Sequence, residues 1–240
     1  ITAAFREPTA IQPTTWNTQT ARMFVRATVL LVLAAACALS SVSRTNFIID
    51  GALRTIGLED IRLRDISFGV HNRGGTFSGL VEFCLRNGTL GNLHQTVRRM
   101  GDCKISDYTK WRPRHYHISC DYLLRGLVAK YDVEMIFDRR SNWMTTEVHV
   151  DNGWLTTHMD SHLGDCRKCT RLFRFDVGGY MAASLMPLQV PVDLPGSVIK
   201  QFEQEVVSRA KTEIAHALNR TYKYAVAARV ALLKGADFAE

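Results

Sequence analysis

The residues best suited to chemistry in this chain are two histidines and two cysteines near its middle. They follow the pattern His158-x3-His162-x3-Cys166-x2-Cys169. Imidazole and thiolate ligands at spacings of three and four are typical of zinc sites. The pattern falls across a predicted strand end and loop, however, and oxidation of the two thiols to a disulfide competes with metal binding. We favour the disulfide and predict no metal site, with zinc as the alternative.

A second group with possible chemistry is the alternating set Glu147, His149 and Asp151. Carboxylates beside a histidine could perform acid–base catalysis, but the solvated outer face of a strand accounts for them better. The chain contains no His-Glu-x-x-His, no Gly-x-Ser-x-Gly and no phosphate loop. We therefore predict that the protein is not an enzyme and uses no cofactor.

The N-terminal part of the sequence has the layout of a secretory signal. Residues 23–43 begin with a methionine and one nearby arginine, continue with the apolar run 27–39, and end in small residues. That apolar run is shorter than the ~20 residues that a membrane span needs. We predict that residues 1–22 are an upstream leader outside the fold, that 23–43 are a signal peptide, and that 44–240 form a single secreted domain.

Export has consequences for the cysteines and asparagines that remain. Five of the six cysteines follow the signal, and an extracellular setting permits disulfides. We predict the pairs Cys103–Cys120 and Cys166–Cys169, which would leave Cys84 over, while other pairings stay open. The sequons at Asn87 and Asn219 are predicted glycan sites. Asn87 is preferred, because Asn-Gly is typical of an exposed turn.

The charge of the chain is mildly positive, +7 in total. It shows no basic run or stripe of the kind that nucleic-acid binders carry, so we predict no nucleic-acid partner. Two predicted loops place tryptophan beside arginine, namely Trp111 with Arg112 and Trp143 with Arg140. This combination suits an anionic lipid surface, although basic hairpin tips with an aromatic residue are also common.

These candidate residues need a scaffold, and the alternation of apolar and polar residues over about 60–182 predicts a sheet. The clearest stretches are Tyr116–Leu124 and Leu127–Phe137, where every second residue is apolar. Such alternation indicates an antiparallel sheet with one buried and one solvated face. Turn residues, including Asn152-Gly153, favour a meander. A short helix is predicted within 45–57.

The C-terminal part has a different period. Between Ser197 and Lys234 there is no proline or glycine, and apolar residues recur every three or four positions. This pattern predicts one long amphipathic helix over about 196–234. Because a sheet with one apolar face needs a cover, we predict an α+β fold. In it a curved antiparallel meander wraps around the long C-terminal helix, with a short helix at the N-terminus.

This order of elements resembles the tubular lipid-binding superfamily. The superfamily includes bactericidal/permeability-increasing protein, juvenile-hormone-binding proteins, takeout proteins and the group-seven mite allergens. The stretch Gly91–Asp102 is similar to a segment of the mite allergens that ends in basic residues, a hydrophobic residue and Gly-Asp, and Tyr116–Tyr131 falls where they carry the next two strands. The resemblance covers about 45–230 and implies extracellular binding of an apolar ligand or bacterial lipid, without catalysis.

We therefore predict a secreted, non-catalytic binder or carrier of an apolar or lipid-like ligand. The ligand would contact the inner sheet face and the helix, although each of these side chains could instead fill a core. One alternative is a ligand-free interaction or immune-modulating protein with a filled core. Another is a lipocalin-like barrel, against which the long terminal helix argues. The candidate pocket residues are Phe83, Tyr116, Ile118, Tyr122, Tyr131, Val133, Met135, Phe137, Phe173, Phe175, Phe202, Val206 and Ile214.

Overall fold

The computed structural model describes residues 42–72, 79–107, 115–162, 170–186, 194–234 and 238. The predicted leader and all but the last two residues of the predicted signal peptide lie outside these residues, so the division of the precursor stays a prediction. Among the helices of the described part of the chain, none is long and apolar enough to cross a membrane.

The described chain has a short helix near its start, then strands, then a long helix. Helix α1 occupies 42–54, slightly earlier than the predicted 45–57. The strands are β1 (Ile61–Arg62), β2 (Ile66–Asn72), β3 (Gly79–Gly91), β4 (Val97–Arg99), β5 (Lys104–Asp107), β6 (His115–Leu124), β7 (Val128–Phe137), β8 (Arg140–Asn152), β9 (Trp154–His162), β10 (Thr170–Val177) and β11 (Ala182–Leu185). The remaining helices are α2 (Leu93–Thr96), α3 (Gly196–Ala217), a π-helical segment (Leu218–Tyr222) and α4 (Lys223–Val230).

The predicted α+β class is confirmed, but the strands form two antiparallel sheets rather than one meander. The first sheet has the order β1-β3-β7-β8-β11, with β2 also paired to β3. The second has the order β10-β9-β6-β4, with β5 also paired to β6. One face of each sheet is apolar and closed, and the other is polar, as the alternation predicts.

The two sheets share one continuous two-stranded ribbon. Strands β6 and β7 form its first side, β8 and β9 its second, and it closes at the turn Asp138-Arg139. The register keeps the same offset throughout: Phe137 faces Arg140 beside the turn, and His115 faces His162 at the far end. Each side of the ribbon therefore passes from one sheet into the other without a shift of register.

Two glycine positions that resemble hairpin turns are bends in this ribbon instead. Gly126, with φ +87°, lies between β6 and β7, and Gly153 lies between β8 and β9. Backbone hydrogen bonds continue across the bend, for example from Leu124 N to Gly153 O at 2.8 Å. The predicted turn at Asn152-Gly153 is therefore wrong, because the glycine bends the strand without reversing the chain.

The predicted exposed turn at Asn87-Gly88 is wrong for a similar reason. Both residues lie inside β3, where the pairing to β7 skips between Arg86 and Thr89. Asn87 takes the left-handed φ of 53°, and a side chain at Gly88 would overlap Tyr131 and Leu63. An Asn-Gly pair supplies these conformations in a bulge as readily as in a turn.

The long C-terminal helix buries a stripe that repeats every four residues. Each step of four advances about 40° beyond one full turn, since an α-helix has 3.6 residues per turn. The stripe therefore winds around the helix: α3 packs against β2, β8 and β11 of the first sheet, whereas the π segment and α4 pack against β10 of the second. Its members are Val198, Phe202, Val206, Ala210, Ile214, Leu218, Tyr222, Val226 and Val230.

Aromatic rings tie the helix to the first sheet. The ring of Phe202 on α3 lies 4.5 Å from that of Phe83 and 5.9 Å from that of Phe68, measured between centroids. Phe83 and Phe68 stack on neighbouring strands at 5.6 Å. This three-ring contact closes the core at the start of the helix.

Candidate functional site

A cleft of about 630 Å³ opens where α1, the α2–β4 segment, β6 and the π-helical segment meet. It combines cationic, polar and apolar side chains. Its wall consists of Asp50, Leu53, Arg54, Leu93, His94, Gln95, Val97, Arg98, Arg99, Tyr122 and Tyr222. Its volume lies within the usual range of small-molecule sites.

The floor of the cleft is an ion pair that fastens α1 to β4. Arg99 donates from Nε to Asp50 Oδ1 at 3.1 Å and from Nη2 to Asp50 Oδ2 at 3.0 Å. The same guanidinium reaches the carbonyl of Gly101 and the carboxylate of Asp102. The hydrogen bond to Asp50 raises the pKa of Arg99, so Arg99 stays charged and is already engaged.

A second contact holds α1 beside the cleft. Buried Asn46 donates from Nδ2 to Asp102 Oδ1 at 2.7 Å and accepts from the backbone N–H of Cys103 at 3.0 Å. Cys103 forms a disulfide with Cys120 on β6, as predicted. The Arg-Arg-Met-Gly-Asp piece on which the family resemblance depends is therefore an anchor for the N-terminal helix.

Two further arginines leave the cleft with an excess of positive charge. Arg54 on α1 and Arg98 on β4 are exposed, and neither forms an ion pair with a residue that the structure describes. Arg98 Nε donates only to the carbonyl of Gln95, at 3.3 Å. The one carboxylate of the wall, Asp50, is already paired to Arg99. An anion entering the cleft would therefore meet two available guanidinium groups.

Two buried tyrosines form the inner wall. Tyr122, 1% exposed, comes from β6, and Tyr222 ends the π-helical segment. Burial raises the pKa of both phenols, and the nearby Thr157 hydroxyl partly opposes this for Tyr122. Within the described residues neither the Tyr122 nor the Thr157 hydroxyl reaches hydrogen-bond geometry. Single π-helical turns are frequent at functional sites, and a buried hydroxyl without a partner calls for an explanation.

Most of the predicted pocket residues lie in the closed core rather than around an open cavity. Ten of the thirteen are buried, Tyr116 and Phe137 are partly buried against the same core, and only Tyr122 lines the cleft. That these side chains contact a ligand stays a prediction. The buried ten are Phe83, Ile118, Tyr122, Tyr131, Val133, Met135, Phe175, Phe202, Val206 and Ile214.

Phe173 is the predicted inner-face residue that the structure places outside. The pairing of β10 to β9 shifts between Leu172 and Arg174, so the alternation breaks at Phe173. Its ring is 46% exposed and contacts the rings of His117 and His158, whereas Phe175 points inward. A bulge changes which face a side chain occupies, and apolar spacing alone does not reveal it.

The remaining predicted sites are distributed over the surface. Asn87 and Asn219 are exposed, and Asn87 Nδ2 donates to Asp132 Oδ2 at 2.9 Å. Trp143 is 54% exposed on β8, and Arg140 is exposed beside the ribbon turn. Trp111, Arg112, Cys166 and Cys169 lie outside the described residues. Glycosylation and headgroup contact at these positions stay predictions.

The sequence raised two chemical alternatives, a metal site and an acid–base group at Glu147. Among the described residues, no three His, Cys, Asp or Glu side chains are arranged to hold a metal ion. Glu147 lies 2.7 Å from Lys130 Nζ and 3.3 Å from His149 Nε2. The hydrogen bond from Lys130, supported by His149, lowers the pKa of Glu147. These side chains therefore form ion pairs on the outer face of the strand.

Comparisons with known proteins give a likeness of fold. No family model and none of the curated proteins matches the sequence. Among solved structures, lipopolysaccharide binding protein is 11% identical with a TM-score of 0.42, over 76% of this chain and 36% of that chain. Takeout 1 of Epiphyas postvittana is 13% identical with a TM-score of 0.32, over 78% and 86%.

Takeout proteins are among the groups that the sequence resembles, and Takeout 1 is one of the solved structures to which this chain is similar. This chain spans about a third of the length of lipopolysaccharide binding protein. At these identities the similarity concerns the course of the chain alone, and a ligand has to be inferred from this chain's own cleft.

Sequence reasoning missed most of the cleft. Asp50 and Arg54 are spaced by four on a predicted helix, which places them on one face, and Arg98 and Arg99 belong to the stretch that carries the family resemblance. Both observations indicate a charged surface. The docking of α1 against β4 brings these residues together, and it depends on contacts between residues about 45 positions apart.

Proposed function

We propose that this chain is a secreted, non-catalytic binder of an amphipathic, lipid-like ligand whose anionic headgroup occupies the cleft. The observation that supports this proposal is that Arg54 and Arg98 line the cleft, whereas the one carboxylate of its wall, Asp50, is already paired with Arg99. Guanidinium groups recognise carboxylates and phosphates by charge-assisted hydrogen bonds. The Tyr122 hydroxyl, buried in the inner wall, is a further donor that a ligand oxygen could satisfy once the wall opens toward it.

The apolar part of the ligand would lie along the same cleft. Leu53, Leu93 and Val97 line it next to the arginines, so a short apolar segment could be covered while the headgroup is paired. The inner face of the sheets offers less space for the apolar part of a ligand, since the side chains predicted to hold a ligand there pack against the helix. A tail that enters the core would have to displace packed side chains.

A ligand-free interaction protein is the second candidate. The burial of the predicted inner-face side chains against the helix favours it, because a carrier that encloses its ligand would need open volume between sheet and helix. The two candidates differ in a simple observable. Native mass spectrometry of the protein purified from a eukaryotic secretory host should show a co-purified amphiphile if the cleft binds one.

The test of the cleft compares oleic acid with oleyl alcohol, which share a tail and differ in charge. The double variant Arg54→Gln/Arg98→Gln should bind oleic acid at least tenfold more weakly, since one hydrogen bond to a charged group contributes roughly 1.5–3 kcal/mol. The matched control, Arg62→Gln/Arg64→Gln, removes two exposed arginines in and just after β1 and should bind as the wild type does.

Three results would count against the proposal. Failure of the wild type to bind either lipid would favour the interaction candidate. Binding of the alcohol as tightly as the acid would remove the role of charge. Equal losses in the two double variants would mean that net charge, and not the cleft, determines affinity.

A further inference from the structure

Four histidines gather on the outer face of the second sheet, away from the cleft. His115 and His117 lie on β6, and His158 and His162 lie on β9. Because β6 and β9 are paired, His115 faces His162, and the other two are diagonal neighbours. We call this set the histidine face.

The rings of the histidine face are in contact. The centroids of His115 and His162 are 3.9 Å apart, and those of His117 and His158 are 5.6 Å apart. The carboxylate of Asp160 contacts two of the rings: Asp160 Oδ1 lies 3.0 Å from His117 Nδ1 and 3.8 Å from His115 Nε2. Two of the four titratable rings therefore share this acid.

The permanent charges of the described residues around the histidine face nearly balance one another. Pairing places side chains of β4, β5, β9 and β10 on the same outer surface as those of β6. The described cations are Arg98, Lys104, Arg171 and Arg174, and the described anions are Asp121, Asp160 and Asp176. With neutral imidazoles these charges leave one net positive charge, and protonation of the histidines adds up to four more.

An exposed aromatic ring lies at the centre of this surface. The bulge in β10 turns Phe173 outward, and its centroid is 5.1 Å from that of His117 and 5.8 Å from that of His158. A half-exposed aromatic ring surrounded by cations is the composition of a membrane-interface contact.

We propose that the histidine face is a docking surface for an anionic lipid bilayer that operates only when the histidines are protonated. Charge complementarity argues for this occupant: protonated imidazoles make the surface strongly cationic, and an anionic leaflet attracts basic side chains. The charge arrives stepwise, because burial, His117 and Arg174 lower the pKa of His158.

The experiment is sedimentation with phosphatidylcholine vesicles, with or without phosphatidylglycerol, at about pH 7.5 and about pH 5.5, on either side of the imidazole pKa. Affinity for the anionic vesicles should rise steeply at the lower pH. One basic side chain near an anionic leaflet contributes roughly a factor of five. The variant His117→Gln/His158→Gln should therefore lose roughly 25-fold in affinity at the lower pH and nothing at the higher.

Matched controls make the result specific. His71 and His216 are exposed histidines on the first sheet and on α3, and His71→Gln/His216→Gln should keep the full pH response. Asp160→Asn removes the shared acid and should strengthen binding to anionic vesicles, which gives a change of opposite sign that loss of folding cannot imitate. Phe173→Ser should weaken binding at the lower pH only.

The proposal is overturned if acidification does not increase binding, if vesicles without phosphatidylglycerol bind equally well, or if the two double histidine variants behave alike. Its failure is distinguishable from failure of the cleft. Oleic acid binding at neutral pH should be the same in His117→Gln/His158→Gln and the wild type, whereas Arg54→Gln/Arg98→Gln should keep the pH-dependent vesicle binding.

Discussion

Replacing Tyr122 with phenylalanine should make the free protein more stable and its ligand binding weaker. The Tyr122 ring is 1% exposed, and its hydroxyl has no hydrogen-bond partner among the described residues. Phenylalanine keeps the ring and removes only the unpaired oxygen. A buried polar group without a partner costs roughly 1–3 kcal/mol.

The magnitude should fall at the lower end of that range. The Thr157 hydroxyl is close enough to oppose the rise in the pKa of Tyr122, so part of the cost is already compensated. We expect a gain of about 1 kcal/mol in the free energy of unfolding, which is about 2–4 °C in the midpoint temperature for a chain of this size. Oleic acid affinity should fall roughly three- to tenfold, the range of one net hydrogen bond.

Tyr131 provides the matched control. It is also buried, and its hydroxyl also has no partner in the described part of the chain, but it does not line the cleft. Tyr131→Phe should give a similar gain in stability, measured by urea denaturation, with unchanged lipid affinity. The reasoning is refuted if Tyr122→Phe destabilises the protein, or if both variants change lipid affinity equally.

Three further predictions concern the core, the disulfide and acid stability. Phe202→Ala should cost about 4 kcal/mol in urea denaturation, because it empties the centre of a three-ring contact; a loss below about 1 kcal/mol would contradict the packing. Cys103→Ser/Cys120→Ser removes a disulfide that links residues 17 positions apart and should lower the free energy of unfolding by about 3 kcal/mol. Amide exchange in 42–54 should become faster. Unchanged exchange there would show that the disulfide does not help to anchor α1. The pKa of His158 is lower in the folded than in the unfolded protein, so the unfolded chain binds that proton more readily and stability should decline as pH falls below about 6.5. His158→Gln should flatten this decline in thermal unfolding measured against pH. Identical profiles for the variant and the wild type would refute this prediction.

The elements of this fold could be predicted because their periods are long and regular. The helix over 196–230 and the alternation in β6 and β7 depend on residues that are close in sequence. The division into two sheets could not be predicted in the same way. Gly126 and Gly153 bend two paired strands together, and a glycine has the same appearance in sequence whether it bends a strand or reverses it.

The candidate site was less accessible to sequence reasoning than the fold. Apolar inner-face residues were expected to surround a ligand, but periodicity gives the face of a side chain and not whether the space beside it is filled. The cleft instead requires Arg54 of α1 to meet Arg98 of β4. That meeting depends on how Asn46 and Asp50 dock, which is a tertiary contact without a local pattern.

The unbroken register of the ribbon has a consequence for folding. Once the turn at Asp138-Arg139 closes, every later pair between β7 and β8, and then between β6 and β9, joins residues whose neighbours are already aligned. Zipping from one turn avoids a separate search for the second sheet and shortens the loops that remain to be closed. A slip of one residue at that turn would move the apolar faces of both sheets into solvent at once. The register chosen at this single turn therefore protects both sheets from misfolding.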